Sequence, residues 1–276
     1  RRGDPFLHRA RMIMVPTLDQ PSPLAAFFDY GVRKMLHKAW VRARAAFPRA
    51  RSGGVVTSRY GVKMRANWSD RTFQYCQAAT YGRDLSDFLA AQNGRFVFVD
   101  IGANQGLYSL LAARNLACAA AIAFEPVAAT YALLTENIAL NGLTGRIRPV
   151  HAAVSLHSGM ASMATDSRHS GKASLRDAST ASAAGEEIRI LGIAGVDTLL
   201  EGDEPLICKI DVEGHEETVV EALAASRHRD RMTAIFYEVD TRWTDAAAIE
   251  ARLRALGFAR FDRFGFGRHY DVLARR

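Results

Sequence analysis

The amino-acid sequence predicts an α/β protein in which a Rossmann-like domain, residues 95–276, follows a basic N-terminal extension, residues 1–94. Three observations support this prediction. The apolar run Phe96–Ile101 ends in a small-residue turn and continues into a helical pattern, as a buried parallel strand does. A second apolar strand with an acidic end follows at residues 121–126. Strand and helix patterns then alternate towards the C-terminus.

The positive charge of the chain is concentrated in its first 65 residues. The net charge is +7, but residues 1–65 carry 14 Lys or Arg against three Asp, a balance of +11, which leaves −4 for the remainder. Residues 1–23 contain four prolines and are predicted to form an irregular arm. Over residues 24–47, apolar side chains recur at helical spacing with Arg and Lys on the other faces, which predicts a basic amphipathic helix.

This helix has three interpretations. It could adsorb to an anionic membrane surface, which would suit an enzyme that acts on lipid-linked or surface glycans. It could instead pack on the main domain or across a homodimer, which we favour. Nucleic-acid binding ranks third, because no recognition motif accompanies the basic residues.

Composition indicates the compartment. No segment approaches the roughly 18 uninterrupted apolar residues of a membrane-spanning helix. The three cysteines are scattered and lack CxxC spacing, which is typical of buried thiols in a reducing compartment (Cys76, Cys118 and Cys208). We therefore expect a cytoplasmic protein, at most peripheral to the inner face of a membrane.

A short region connects the extension to the main domain. Residues 49–54 resemble a linker, residues 55–64 alternate as in a hairpin, and residues 72–92 have helical character. Four aromatic residues here could line a substrate entrance, although aromatic side chains more often belong to the core (Trp68, Phe73, Tyr75 and Tyr81).

The turn after the first strand predicts a nucleotide-type ligand. Gly102 and Gly106 let the backbone approach a ligand closely, and the free N–H groups of the next helix would face it. A dinucleotide site usually has three glycines, as GxGxxG, whereas this turn has two and follows a carboxylate, Asp100. An acid repels pyrophosphate and attracts a cation, so S-adenosylmethionine, with its sulfonium and ammonium groups, fits better. A purely structural acid at a strand end is the alternative.

The second strand supplies another acid at its end. Glu125 lies nineteen residues after Gly106, the spacing expected for a carboxylate that binds both ribose hydroxyls. A helix over residues 127–141, closed by Gly142, and a strand over residues 146–151 follow. The small residues 152–154 could pack against an adenine ring, and His151 is either a strand-end histidine or a ligand contact.

The region between residues 155 and 200 is predicted with less regular structure. Residues 155–185 are rich in Ser, Ala, Gly and Thr, which predicts an insertion of short strands and a mobile loop, either a lid over the ligand or a surface loop without a role. Residues 187–191 return to strand, and residues 196–200 form a helical turn.

A second chemical cluster begins at residue 206. An apolar strand over residues 206–210 ends in Asp211, and a turn containing Gly214 leads into a helix that reaches about Ala225. Lys209 lies inside this strand and needs a carboxylate partner. Glu238, near the end of the strand over residues 234–239, is the predicted partner. A helix over residues 246–256 and a hairpin over residues 258–264 and 268–274 complete the chain.

Five motifs together resemble one family. They are VDIGANQG at 99–106, FEP at 124–126, VDTLL at 196–200, KIDVEGHE at 209–216 and FYE at 236–238. Over residues 95–275 the chain resembles the FkbM family of S-adenosylmethionine-dependent methyltransferases. The resemblance implies a Rossmann-like class I methyltransferase domain, whose seven-stranded, mostly parallel sheet has one antiparallel strand. It also implies O-methylation of a hydroxyl on a sugar, glycan or other natural product, with S-adenosylhomocysteine as the product.

The resemblance also implies roles for residues at matching positions. Asp100, Gly102, Asn104 and Gly106 would hold the methionine end of the cofactor, Glu125 the ribose, and the KIDVEGHE segment would border the substrate. The complete set of cofactor-binding candidates is Asp100, Gly102, Ala103, Asn104, Gly106, Tyr108, Ser109, Glu125, Pro126, Ala153 and Asp211.

The acceptor hydroxyl requires a base near the strand ends. The candidates are His215, Asp211, Glu213 and Glu238, and His215 has the most suitable intrinsic pKa. Lys209 could lower the pKa of the acceptor, although we favour a structural ion pair. The same acids and His215 could hold a divalent metal ion, but strand-end acids without a metal are commoner, so we predict no metal ligand.

Two other functions are compatible with parts of the pattern. A nicotinamide-dependent oxidoreductase is disfavoured by the missing third glycine and by Asp100. A non-catalytic scaffold or membrane-docking protein would keep the fold without its chemistry, and the polar residues at the strand ends argue against it.

Overall fold

The computed structural model describes residues 54–80, 82–163, 185–265 and 267–276. The strands in these ranges are β1 (Val55–Thr57), β2 (Lys63–Arg65), β3 (Phe96–Ile101), β4 (Cys118–Phe124), β5 (Ile147–Val150), β6 (Ala153–Ser155), β7 (Gly159–Met163), β8 (Glu186–Gly192), β9 (Leu206–Ile210), β10 (Met232–Asp240), β11 (Arg260–Phe264) and β12 (His269–Arg275). The helices are α1 (Arg71–Ala78), α2 (Arg83–Ala90), α3 (Leu107–Arg114), α4 (Ala128–Leu140), α5 (Ile193–Asp197), α6 (Glu216–Ala225) and α7 (Ala246–Ala255), with a 3-10 turn at Arg229–Arg231.

A seven-stranded sheet organises these elements. Its strand order is β11-β12-β10-β9-β3-β4-β5, and β12 runs in the direction opposite to that of the other six strands. The predicted α/β class and the mostly parallel sheet are confirmed. Because the chain passes from β5 back across to β9, strands β3 and β9 lie side by side at the point where the strand order reverses. Ligands of open α/β sheets bind outside the carboxyl ends of the strands at such a point.

Apart from Asp100 and Lys209, the strands β3 and β9 are apolar because helices cover both faces of the sheet. Side chains on β3 alternate between two clusters: Phe96 and Phe98 face the cluster that includes α3 and α4, whereas Val97 and Val99 face the cluster that includes α6 and α7. Every residue of β3 and β9 is buried. This double burial explains why both strands are recognisable as continuous apolar runs.

The region before the sheet packs directly on it. Val62, Met64, Phe73 and Leu85 are buried in the same cluster as Phe98. The pattern predicted as one helical region over residues 72–92 is two helices, α1 and α2. The break has a conformational cause, since Ala79 (φ 51°) and Gly82 (φ 75°) both adopt the left-handed region.

Two asparagines, one within α4 and one at its C-cap, attach the first hairpin to the domain. The side-chain oxygens of Asn137 and Asn141 accept hydrogen bonds from the backbone N–H groups of Arg65 (2.7 Å) and Lys63 (2.9 Å). Asn137 Nδ2 also donates to the carbonyl of Gln105 (2.9 Å), within the turn that follows β3. The first hairpin is therefore connected through α4 to that turn.

Several predicted features lie outside the described residues. They are the irregular arm, the basic amphipathic helix over residues 24–47 with its membrane or dimer contacts, and most of the 155–185 insertion. Of that insertion, β7 is described and forms a small sheet with β6 and β8. Among the helices that the structure describes, none combines the length and apolarity needed to cross a bilayer.

Candidate functional site

A cavity of about 280 Å³ lies among the carboxyl ends of β3, β4, β9 and β10. Most of the predicted site residues line it: Gly102, Ala103, Asn104, Tyr108, Glu125, Pro126, Ala153, Lys209, Asp211, Glu213, His215 and Glu238. Asp100, Gly106 and Ser109 do not line the cavity: Asp100 and Ser109 are fully buried, and Gly106 is the N-cap residue of α3. The structure thus brings the two predicted clusters, around residues 100–126 and 209–238, into one site.

The turn after β3 passes very close to the end of β9. Gly102 has a φ of 78°, and a Cβ atom there would lie 1.9 Å from the backbone oxygen of Asp211. The N–H groups of Gly102 and Ala103 both donate to the carbonyl of Phe124 (3.0 and 2.8 Å), which fixes the turn against β4. Glycine is required at this position by both backbone conformation and space.

Asp100 and Lys209 form a buried charged group behind this turn. Asp100 is fully buried and accepts a hydrogen bond from Ser109 Oγ (2.7 Å). Lys209 Nζ lies 3.5 Å from Asp100 Oδ1 and 3.4 Å from Asp211 Oδ2, and donates to the carbonyl of Gly102 (2.7 Å). Burial alone would lower the pKa of Lys209, but the carboxylates of Asp211 and Asp100 raise it to about 12.

The predicted ion pair between Lys209 and Glu238 is therefore wrong. The register of the sheet explains the difference, because Lys209 stands directly opposite Asp100 on one neighbouring strand and opposite Phe236 on the other. Lys209 does form a structural ion pair, but its partners are Asp100 and Asp211 and not Glu238. The charge of Asp100, from which a cationic ligand was inferred, faces Lys209.

Glu125 joins the two turns at the cavity wall. Its Oε2 accepts from the N–H of Asn104 and its Oε1 from the N–H of Val127, both at 2.9 Å. The side chain is buried and lines the cavity, and burial raises the pKa of Glu125 to about 7. The apolar wall beside it includes Ala152, Ala153 and Val154, as expected for the third loop. His151 instead stacks on Tyr131, with ring centroids 4.6 Å apart.

Three carboxylates meet beyond β9 and β10. Oxygen atoms of Asp211, Glu213 and Glu238 all lie within 4.8 Å of one another. Burial, followed by the charges of Asp211 and Glu238, raises the pKa of Glu213 to about 9. Lys209 and His269 already pair with two of these carboxylates, so we treat the group as an ion-pair cluster and assign no metal ligand.

The turn between β9 and α6 is held by Glu216. Its Oε1 accepts from the N–H groups of Val212 (3.2 Å) and Gly214 (3.0 Å), and its Oε2 accepts from Thr244 Oγ1 (3.2 Å). His215 is the N-cap residue of α6 and faces the cavity from this turn. Glu216 therefore maintains the backbone that presents Glu213 and His215.

Sequence reasoning missed two groups of cavity residues. One is His269, on β12. Its Nε2 lies 2.8 Å from Glu238 Oε1. Thr72, Tyr75 and Cys76 come from α1. His269 has no sequence signal beyond its place in the closing hairpin. For the four aromatic residues near α1, the sequence leaves a substrate entrance and the core as open alternatives. Tyr75 lines the cavity, whereas Phe73 is core and Trp68 packs edge-on against it; Tyr81 lies outside the described residues.

One more connection links α1 to the turn. Asp70 is fully buried and accepts hydrogen bonds from the N–H groups of Thr72 (3.1 Å) and Phe73 (3.3 Å), which caps α1. Gln105, next to Asn104, donates to the same carboxylate through Nε2. The helix that carries Tyr75 is thereby held against the turn that follows β3.

The ionisable groups of the cavity predict that stability falls as the pH rises from about 5 to 9. Burial raises the pKa of Glu125 and Glu238 to about 7 and that of Glu213 to about 9, and pairing with Glu238 raises that of His269 to about 9. The folded chain therefore holds more protons than the unfolded chain over this range, so raising the pH favours unfolding.

Thermal unfolding at pH 5, 7 and 9 measures this dependence. We expect the midpoint to fall by about 5 °C or more across the range. The variant Glu213→Gln should flatten the dependence of the unfolding midpoint on pH between pH 5 and 9. It removes the one of these three carboxyl groups whose pKa differs most between the folded and unfolded chain. An unfolding midpoint that rises from pH 5 to 9 would contradict the raised pKa values assigned to these four groups.

Comparison with known proteins supplies the family. A sequence model described as the methyltransferase FkbM domain matches residues 100–259. No curated protein sequence matches the chain significantly. Among solved structures, a precorrin-6y C5,15-methyltransferase from Geobacter metallireducens has a TM-score of 0.43 and 14% identity, and the match covers 70% of this chain and 86% of that one.

Two further structures have similar scores. A ribosomal protein L11 methylase from Lactobacillus delbrueckii subsp. bulgaricus has a TM-score of 0.39 and 15% identity, covering 70% of this chain and 78% of that one. The human methyltransferase 10 domain containing protein has a TM-score of 0.45 and 14% identity, covering 90% of this chain and 97% of that one.

Proposed function

This chain belongs to the methyltransferase FkbM domain family, and from that premise we propose that it transfers a methyl group from S-adenosylmethionine to a hydroxyl of a sugar, glycan or other natural product. The family resemblance is confirmed by the match over residues 100–259, and the sheet is that of a class I methyltransferase. The observation that carries the proposal is that the turn after β3, Glu125 and the Asp211 cluster line one cavity.

The residues of the cavity are chemically suited to S-adenosylmethionine. The carboxylate of Glu125 can accept hydrogen bonds from ribose hydroxyls. The small apolar side chains at 152–154 suit the adenine ring. Asp211, which lines the cavity, and the turn at Gly102–Asn104 offer a negative charge and backbone polar groups for the methionine end. We propose these residues as the ones that hold the cofactor.

The chain itself has to position the acceptor and remove its proton. Bound S-adenosylmethionine supplies a methyl carbon activated by a cationic sulfur, so little further activation of the methyl group is needed. An alcohol is a weak nucleophile while protonated, and a base is most effective when its pKa lies near the working pH. Glu238 meets this condition, since burial raises its pKa to about 7, whereas Glu213, at about 9, is protonated at neutral pH.

The charge of the cavity also limits the acceptor. Asp211, Glu213 and Glu238 are close together, and an anionic acceptor would be repelled by whichever of them are ionised. We therefore favour a neutral hydroxyl compound over a phosphorylated or carboxylated one.

The first test is calorimetric titration with S-adenosylhomocysteine, the product, which keeps the adenosine and amino-acid groups and lacks the methyl group and the sulfonium charge. We expect micromolar binding to the wild type and affinity weakened about 10- to 100-fold in Glu125→Gln, because the amide removes an acceptor and a charge that face the cavity. Glu217→Gln is the matched control, since Glu217 is an exposed glutamate outside the cavity lining.

The outcomes separate the competing functions. Equal binding by the wild type and Glu125→Gln would remove Glu125 from the cofactor site. Failure of the folded wild type to bind S-adenosylhomocysteine would refute the proposed cofactor, and titration with nicotinamide dinucleotides would then test the oxidoreductase interpretation.

A further inference from the structure

Glu238 and His269 form a close pair in the cavity, brought together by two antiparallel strands. Strand β12 lies against β10 with Asp271 opposite Glu238 and His269 opposite Asp240. His269 Nε2 lies 2.8 Å from Glu238 Oε1. Both residues line the cavity, but the Glu238 side chain is 8% exposed and that of His269 is 52% exposed. The pair therefore extends from the interior of the cavity to solvent.

The neighbouring charges leave Glu238 as the main partner of His269. Asp240 Oδ2 is 3.9 Å from His269 Nδ1, but the Asp240 carboxylate is held by the guanidinium of Arg242, with Nε at 2.9 and 3.0 Å from its two oxygens. The other ionisable groups near the pair are carboxylates from α6, β12 and the segment between β9 and α6: Asp211, Glu213, Glu216 and Asp271. Asp84, on α2, lies next in line and acts on Asp271. His269 is thus surrounded by acids, of which Glu238 is the closest.

We propose that Glu238 is the base that takes the proton of the acceptor hydroxyl, and that His269 is the positioning residue that keeps Glu238 ionised and releases the proton to solvent. This inference rests on the proposed function. His269 lies outside the residues that match the family model, 100–259, so the match itself assigns it no role.

The proton can be followed through the pair without a further reactant. The O–H bond of the acceptor breaks as its oxygen bonds to the methyl carbon, the electron pair of the sulfur–methyl bond stays on sulfur, and the proton passes to the Glu238 carboxylate. His269, charged at the start, gives one proton to water. It then takes the proton from Glu238 through Nε2 and is charged again. The sum is one methyl ether, one thioether and one proton in solvent.

The electrostatics of the pair agree with this sequence. The hydrogen bond to Glu238 raises the pKa of His269 to about 9, while burial raises that of Glu238 to about 7. Between these values, Glu238 is ionised and His269 is charged. Burial raises the pKa of Glu238, and the charge on His269 counteracts this rise. Without that charge, the pKa of Glu238 would rise further.

The dependence of the rate on pH distinguishes a proton-handling role from a structural one. The probes are methyl-labelled S-adenosylmethionine and a panel of neutral methyl glycosides. In the wild type, the rate should rise with pH through about 7. In His269→Asn, the rising limb should move up by about one pH unit, which lowers the rate about five-fold at pH 7 and restores it above pH 9. His157→Asn, at an exposed histidine outside the cavity, is the control.

A loss that is equal at every pH would overturn the assignment of His269, because a purely structural role lowers the rate without moving the limb. Glu238→Gln should lower the rate at least 100-fold at all pH values. A smaller loss, with the rising limb retained, would transfer the role of base to another residue.

Nuclear magnetic resonance titration tests the pair without an acceptor. The imidazole signals of His269, identified by their loss in His269→Asn, should titrate near pH 9 in the wild type and about two units lower in Glu238→Gln. Titration near 6.5 in the wild type overturns the pair. Intact binding of S-adenosylhomocysteine by both variants shows that they are folded. If the wild type does not bind S-adenosylhomocysteine, the proposed function is refuted. If none of the glycosides is methylated, the proposed acceptor class is refuted. The titration of His269 tests the pair independently of both results.

Discussion

Replacing Gly102 with alanine should abolish S-adenosylhomocysteine binding and lower the free energy of unfolding by about 2–4 kcal/mol. The left-handed φ of 78° alone accounts for roughly 1 kcal/mol of this loss. The larger part comes from the new Cβ atom, which would lie 1.9 Å from the backbone oxygen of Asp211. That oxygen cannot move easily, since the Asp211 N–H donates to Ile101 in the ladder between β9 and β3 (3.1 Å).

The chain offers a matched control for this substitution. Gly142 also has a left-handed φ, 68°, but a Cβ atom there would meet nothing within 4 Å. Gly142→Ala should therefore lose only the backbone contribution and bind S-adenosylhomocysteine normally. Chemical denaturation and calorimetry on both variants measure the difference. Equal effects of the two substitutions on stability and binding would show that the close approach of the two strands is not rigid.

Replacing Lys209 with methionine should destabilise the protein by about 3–5 kcal/mol, the usual effect of removing one member of a buried ion pair. Lys209 is 3% exposed and its Nζ lies between the carboxylates of Asp100 and Asp211. The substitution keeps the apolar part of the side chain but removes the only cation within 4.0 Å that the described residues provide for Asp100. The lost hydrogen bond to the carbonyl of Gly102 should also loosen the turn and weaken cofactor binding.

A double substitution isolates the electrostatic part of this effect. Adding Asp100→Asn to Lys209→Met removes one of the two carboxylates, so the double variant should be more stable than Lys209→Met alone. Lys63→Met, at an exposed lysine of β2, should change stability by less than about 0.5 kcal/mol. If Lys209→Met unfolds at the same urea concentration as Lys63→Met, the buried pair has no net role in stability.

The ion pair of Lys209 shows which structural information can be read from the sequence and which cannot. Strands β3, β4 and β9 are evident from the sequence because burial on both faces requires continuous apolar runs. The need of Lys209 for a carboxylate follows from its position within such a run. Its choice of Asp100 over Glu238 depends on which strand lies beside β9 and in what register, and pairing register leaves no local signal in the chain.

Sequence patterns also fail to predict the site residues that lie far along the chain from the two predicted clusters. Glu125 and Asp211 are predictable because each ends its own apolar strand. His269 becomes adjacent to Glu238 only when β12 inserts antiparallel between β10 and β11, about 30 residues later in the chain. Thr72 and Tyr75 reach the cavity because α1 packs on the sheet, which periodicity alone does not predict.

The packing of the first hairpin, α1 and α2 has a consequence for synthesis of the chain. This segment is translated before the sheet on which it packs: Met64 and Phe73 share their core with β3 and α3, and the hairpin is attached through Asn137 and Asn141. It cannot complete its packing until about residue 141 has been translated. At about 5–20 residues per second, its apolar side chains remain uncovered for several seconds, so we expect this segment to depend on chaperones during synthesis.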